Sequence, residues 1–209
     1  MRIFLSLGCG FLLLGVVPGT PQPQARAWNF DRDKAGTLPQ GFVAAAGDWK
    51  VAAHATAPSA HNTLAQWAKN ERPVFNVVLA TDTDFKDVEL SVRLQAMGGQ
   101  IDQGGGLVWR ARDARNYYIA RYNPLENNFR VYKVVDGSRT QLGSADIPRS
   151  EGWHTIRVIM RGDVIECSYD GKKYLEVSDA AFPGSGKIGL WTKADAQTLF
   201  DDLTAKSLN

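Results

Sequence analysis

The run GGGLVWRARDARNYYIARYNPLENNFRVYKVV, residues 104–135, decides how this chain folds. It contains three short alternating stretches separated by turn residues, the pattern of successive antiparallel strands. Leu107, Trp109 and Ala111 alternate with Val108, Arg110 and Arg112, and Tyr118, Ala120 and Tyr122 alternate with Tyr117, Ile119 and Arg121. In the third stretch Phe129, Val131 and Val135 oppose Arg130, Tyr132 and Val134. Side chains of a strand alternate between faces, so if the apolar set packs inward the other face collects Arg110, Arg112, Tyr117, Arg121, Arg130 and Tyr132. That face is expected to be polar, aromatic and basic.

Outward from this run the same period continues. Val88, Leu90, Val92 and Leu94 alternate with Glu89, Ser91, Arg93 and Gln95, giving a strand with one apolar and one polar face. Gly104, Gly105 and Gly106 are followed by no helix and no Lys-Ser/Thr pair, so they mark a bulge or a close backbone approach rather than a phosphate cradle. Asp136-Gly137 and Asp170-Gly171 are hairpin turns, Gly162-Asp163 turns the chain back between them, and further strands are expected at 153–160, 164–169, 187–192 and 199–205. No long amphipathic helix is expected. About a dozen short strands require two packed antiparallel sheets, and the fold class is therefore all-β, an antiparallel jelly-roll β-sandwich. By analogy with other sandwiches, the last strand is expected to return beside the first.

With 209 residues, 44% hydrophobic and 22% charged, the chain has the composition of one globular domain, placed at 28–209. Residues 1–27 read as a signal peptide: Met1-Arg2, an apolar run over 3–17, a Pro-containing break, then Ala25-Arg26-Ala27 ahead of Trp28. A secreted or periplasmic protein with no membrane span after cleavage is expected. Cleavage removes Arg2 and Arg26 and no carboxylate, which brings the formal charge of +2 to zero. A neutral domain is a poor phosphate binder, which argues against nucleic acid as its partner. Only Cys167 remains after processing, on the apolar side of its strand with Ile165 and Tyr169, and a buried thiol is expected there. His54, His61 and His154 have no zinc-type spacing, and no metal is assigned. The sequence assigns no oligomeric state.

Four motifs carry a family resemblance: Gly105-Gly106-Leu107-Val108-Trp109-Arg110, Gly152-Trp153-His154-Thr155-Ile156-Arg157-Val158, Tyr169-Asp170-Gly171, and Gly186-Lys187-Ile188-Gly189-Leu190-Trp191 before Phe200-Asp201-Asp202-Leu203. Their order resembles concanavalin A-like, laminin G-like sandwiches over about residues 28–206. Within that group the chain is most similar to the 3-keto-disaccharide hydrolase family, related to family 16 glycoside hydrolases. The resemblance implies a lectin/glucanase-type fold and a sugar as partner, with hydrolysis of a 3-keto-glycoside or related sugar as the activity. Members often carry Asn-Ser-Gly before the apolar-aromatic-Arg strand and Tyr-Glu in the next. Here these positions hold Gly104-Gly105-Gly106 and Tyr118-Ile119, so Arg110 is the matching residue. The Glu-x-Asp-x-(x)-Glu triplet of family 16 is absent.

Glycoside hydrolysis requires two carboxyl groups across the scissile bond, and the polar faces supply Glu89 alone, with Asp113 and Glu126 in nearby turns. Sugar binding asks less, because aromatic rings cover the apolar faces of a sugar and Arg, Asn or Gln meet its hydroxyls. The candidate ligand-binding residues are Arg93, Gln95, Arg110, Tyr117, Arg121, Arg130, Tyr132 and Trp191, with Glu89 as the candidate catalytic carboxylate. A cell-envelope module that binds a protein is the further alternative. Asp31, Asp33, Asp201 and Asp202 would supply oxygen ligands for calcium if the chain ends meet, but turn capping and surface charge account for them better.

Overall fold

A computed structural model of the chain describes residues 25–208. Residues 1–24 of the expected signal peptide lie outside the described residues; 25–27 belong to the first strand. In chain order the strands are β1 (Ala25–Trp28), β2 (Phe42–Ala46), β3 (Trp49–Ala53), β4 (Asn62–Gln66), β5 (Phe75–Ala80), β6 (Val88–Gly98), β7 (Gly105–Asp113) and β8 (Asn116–Asn123). They continue as β9 (Asn128–Val135), β10 (Ser138–Asp146), β11 (His154–Arg161), β12 (Val164–Tyr169), β13 (Lys172–Ser178), β14 (Lys187–Lys193) and β15 (Gln197–Ser207).

Two antiparallel sheets form the sandwich. One runs β13-β12-β11-β6-β15-β4-β3, with β1 also paired to β15, and the other runs β10-β9-β8-β7-β14-β5-β2. The last strand does return beside the first, Trp28 opposite Leu203 and Ala25 opposite Lys206. Turn chemistry sets the hairpin registers: Asp136 and Gly137 both lie at positive φ (50° and 83°), as do Asp170 and Gly171 (45° and 79°), the backbone that a two-residue hairpin needs.

The core lies between the sheets. Val88, Leu90, Val92 and Leu94 of β6 are fully buried there, as are Trp109, Tyr118, Ala120, Tyr122, Phe129 and Val131 of the opposite sheet. Each such side chain is worth about 1.5–3 kcal/mol relative to exposure. Cys167 is buried in this core and unpaired, and burial pushes its thiol far up.

The expected burial in the core fails at two places. Ala111 packs on the outer side of its sheet, because a bulge between Trp109 and Asp113 breaks the period and puts Arg110 at φ 46°. Val135 is 40% exposed, and the inward sequence continues through Lys133, whose ammonium reaches Asp179 at 2.6 Å. The three glycines serve close approach: a Cβ on Gly106 would collide with the Ala120 carbonyl, and one on Gly104 with that of Tyr122.

Candidate functional site

The outer face of the seven-stranded sheet gathers most of the expected binding residues. Cross-strand register builds one row across it, Arg130 beside Arg121, Arg121 beside Gly106, Gly106 beside Trp191, and Trp191 beside Val77. A second row holds Gln141, Tyr132, Ile119, Val108, Gly189 and Leu79. Gly106 and Gly189 stand in these rows because a Cβ at either would collide with a carbonyl of the neighbouring strand, Ala120 or Val78.

Half of this face is apolar. Val77, Val108, Tyr117, Ile119, Tyr132, Val134 and Trp191 form a second hydrophobic cluster, with Phe75 packed against it. The Arg139 guanidinium lies over it, 4.3 Å from the Tyr132 ring centroid, 5.5 Å from Phe75 and 5.7 Å from Trp191. Burial beneath its neighbours lowers the Arg139 pKa, a shift that nearby Arg121 reinforces and Tyr132, Asp102 and Glu126 oppose. The ring quadrupoles attract the guanidinium and offset part of what it loses in hydration.

The other half is a charged lattice. Glu126 takes bonds from Arg121 at 2.9 Å, Arg130 at 3.2 Å and the Asn128 amide at 3.2 Å. Arg121 also donates to Asn128 at 3.1 Å and to the Tyr132 hydroxyl at 3.2 Å. Burial works to raise the Glu126 carboxyl, but the bond and charge of Arg121, with Asn128 and Arg130, outweigh it and hold the group at about 2. At the rim Asp102, fully buried, pairs with Lys193 at 3.0 Å and accepts from Asn123 at 2.8 Å. Its loop is fixed by Asp195, whose carboxylate accepts the N–H groups of Gln100, Ile101 and Asp102.

Five buried side-chain polar atoms complete no hydrogen bond within the described protein, and four of them are here: Tyr117 Oη, Arg121 Nε, Arg139 Nη1 and Trp191 Nε1. Burial pushes the Tyr117 hydroxyl well up, opposed by the Trp191 indole beside it, though the geometry of that pair falls short of a hydrogen bond. Unpaired buried donors are costly, at about 1–3 kcal/mol each, so four on one face call for an explanation.

Of the expected residues, Tyr117, Arg121, Arg130, Tyr132 and Trp191 therefore share one face. They are less open than a bare sheet surface would be: Tyr117, Arg121 and Trp191 are at most 1% exposed and Tyr132 4%, because Arg139 and their own long neighbours cover them. Arg139 was not among the expected residues. Its position follows from the Asp136-Gly137 turn, which sets Arg139 opposite Val134 and Gln141 opposite Tyr132.

Four of the other expectations are corrected. Arg93 and Gln95 lie on β6, which pairs with β11 and β15 and so belongs to the opposite sheet, where Arg93 lies 3.9 Å from Asp202. Arg110 is 1% exposed and acts as a clamp: the bulge turns it to donate to the carbonyls of Lys86, Phe182 and Gly162, each at 2.8 Å, and to Asp87 at 3.1 Å. Glu89 also lies on the other sheet, bound by Arg157 at 2.8 Å, and this bond lowers its carboxyl against the effect of desolvation. Asp113 caps its own turn through Arg115 N–H and Asn116. The terminal aspartates do not gather either: Asp201 accepts from Ser59 and Asp31 from the Asn62 N–H, and no group of three or more metal-ligating side chains occurs among the described residues.

No family model matches the chain, and no curated protein does. Solved structures do match. A carbohydrate-binding module, CBM66, from Bacillus subtilis superposes with a TM-score of 0.68 over 80% of this chain and 96% of that one, at 18% identity. The cellulose-induced protein Cip1 matches at 0.58 over 88% and 97%, with 12% identity, and the Crh5 transglycosylase at 0.56 over 91% and 90%, with 11%. At such identities the likeness shows the fold alone: an all-β sandwich of two antiparallel sheets.

Proposed function

We propose that this chain binds carbohydrate on the outer face of the seven-stranded sheet, at the boundary between the aromatic cluster and the Arg121–Glu126–Arg130 lattice. The observation that carries the reading is the grouping there of four buried, unpartnered polar atoms, on Tyr117, Arg121, Arg139 and Trp191. Sugar hydroxyls donate and accept at short spacing, which suits such a set, and the Arg139 guanidinium that covers the rings of Tyr132 and Trp191 is the group a sugar meets first. Support also comes from the shared architecture with a module whose name states carbohydrate binding.

Binding is favoured over hydrolysis of a 3-keto-glycoside. A glycosidic acid must carry a proton, and Glu126 is held ionised by two arginines while Asp102 is committed to Lys193. The kinship with 3-keto-disaccharide hydrolases is thus one of fold in this reading. Export through the N-terminal signal, to the periplasm or the medium, completes the proposal, and no helix among the described residues is long and apolar enough to cross a membrane. Calorimetric titration of the purified chain with a panel of glycans, 3-keto derivatives included, tests it: saturable heat without product release is expected. Product release would establish the hydrolase, and silence throughout would favour a protein partner.

A further inference from the structure

Outside the sugar face, the loop between β10 and β11 brings a nucleophile, an imidazole and a carboxylate into line. Ser150 Oγ lies 3.1 Å from His154 Nε2, and His154 Nδ1 lies 2.8 Å from Asp170 Oδ2. Sequence motifs that the sugar face leaves unused, Gly152-Trp153-His154 and the Asp170-Gly171 turn, supply two of the three residues.

The arrangement is fixed from several sides. The second Asp170 oxygen accepts the Thr155 N–H at 2.8 Å, and the Asp170 N–H returns to the Thr155 carbonyl at 2.9 Å, so the hairpin turn is tied to the strand that carries the imidazole. A carboxylate at Nδ1 selects the tautomer with its proton there, which leaves Nε2 as an acceptor facing Ser150. The ring is stacked on Tyr169 with centroids 5.1 Å apart and meets Tyr122 edge-on at 5.7 Å. Successive anchors hold the Ser150 loop: Ile147 N–H to Asn127 O, Arg149 N–H to Asn127 Oδ1, and Ser150 N–H to the Tyr122 hydroxyl.

Ser150 is exposed and lines a cleft of about 250 Å³ together with Gln95, Gln103, Pro124, Arg149 and Glu151. Gln95 Oε1, the fifth buried atom without a partner, belongs to the same lining and suits a hydroxyl donor. The Tyr169 hydroxyl lies 3.4 Å from Ser150 Oγ. The Tyr122 hydroxyl already accepts the Ser150 N–H and lies 3.4 Å from the Pro148 carbonyl, so Tyr169 is the O–H left to face a developing oxyanion.

From this geometry we infer that Ser150, His154 and Asp170 form a hydrolytic triad for short-chain acyl esters of a hydroxyl-rich alcohol. Ser150 Oγ attacks the ester carbonyl and passes its proton to His154 Nε2, and the carbonyl electrons move to an oxyanion beside Tyr169. Collapse breaks the ester C–O bond, and His154 gives that proton to the departing alkoxide. Water, deprotonated by His154, then cleaves the acyl-Ser150 ester, releasing the carboxylic acid and restoring the serine. Ser150 and His154 are the catalytic residues, and Asp170 is a positioning residue that acts through the imidazole. The inference does not rest on the carbohydrate reading, since its residues and cleft are separate.

The test uses the purified chain with p-nitrophenyl acetate, an acetylated monosaccharide and a fluorophosphonate, which forms a Ser Oγ–P bond as fluoride leaves. Turnover of both esters is expected, with one fluorophosphonate per chain mapped to Ser150 by peptide mass spectrometry. Ser150→Ala should remove the label and lower turnover about 10³-fold or to background, with unchanged thermal unfolding. Asp170→Asn should lower kcat and leave KM, with Asp170→Glu restoring part of kcat. Absence of a label at Ser150, or ester cleavage that persists in Ser150→Ala, would overturn the triad and leave the network as a staple for the loop.

Discussion

Replacement of Arg110 by Met separates the clamp seen in the structure from the sugar contact expected from alternation. Methionine keeps the unbranched apolar stem and makes the same demand on the left-handed backbone at φ 46°, so the change removes chiefly the guanidinium. Four bonds are lost, to three carbonyls and one carboxylate in three separate segments, at Lys86-Asp87, Gly162 and Phe182. The Phe182 carbonyl is buried with its donor and bears the full cost of losing it, about 1–3 kcal/mol, whereas Asp87, a third exposed, recovers water. The Lys86 and Gly162 carbonyls fall between. The sum is about 3–4 kcal/mol, within the range for breaking a buried ion pair, and about 10 °C in melting temperature for a domain of this size. Urea unfolding followed by tryptophan fluorescence measures it, alongside glycan affinity. A loss below about 1 kcal/mol, or a loss of glycan affinity in a protein of unchanged stability, would refute the clamp.

Two further outcomes follow from the same packing. Gly106→Ala drives a Cβ into the Ala120 carbonyl, and a backbone obstacle cannot swing away, so urea unfolding should show a loss of about 1–3 kcal/mol; a loss under about 0.5 kcal/mol would mean that the strands have slack. Glu126 has a folded carboxyl at about 2 against an ordinary 4.5, so its stabilisation is complete above pH 4.5 and fades as the pH falls towards 2. Because the side chain is 39% exposed, its contribution is about 1 kcal/mol after solvent screening. The stability gap between wild type and Glu126→Gln should therefore close across that window, and a gap independent of pH would contradict the Arg121 and Arg130 pairing.

Much of the fold was legible because its signals are local. The β6 alternation names its buried side chains correctly, and Asp-Gly turns fix two hairpins through their positive φ values. The Arg110 bulge was not legible, since a left-handed arginine is set by the loops it holds rather than by any neighbour in sequence. Alternation also says which side of a strand faces the core but not which sheet the strand joins, and so Arg93 and Gln95 were grouped with residues on the far side of the sandwich. Arg139 was within reach through hairpin register, because the turn places it opposite Val134. Asp170 was within reach of His154 through the β11–β12 hairpin, but the Ser150 loop is held by Asn127 and Tyr122 of the other sheet, which its sequence does not announce.

The central claim is that a sugar occupies the outer face of the seven-stranded sheet beside Tyr132 and Arg139. Calorimetric titration of the best glycan from the panel into wild type, Arg139→Ala and Arg93→Ala tests it most directly. The account predicts that Arg139→Ala weakens binding at least tenfold, about 1.4 kcal/mol, and that Arg93→Ala, on the opposite sheet, leaves it unchanged. Binding that survives Arg139→Ala and is lost in Arg93→Ala would contradict it.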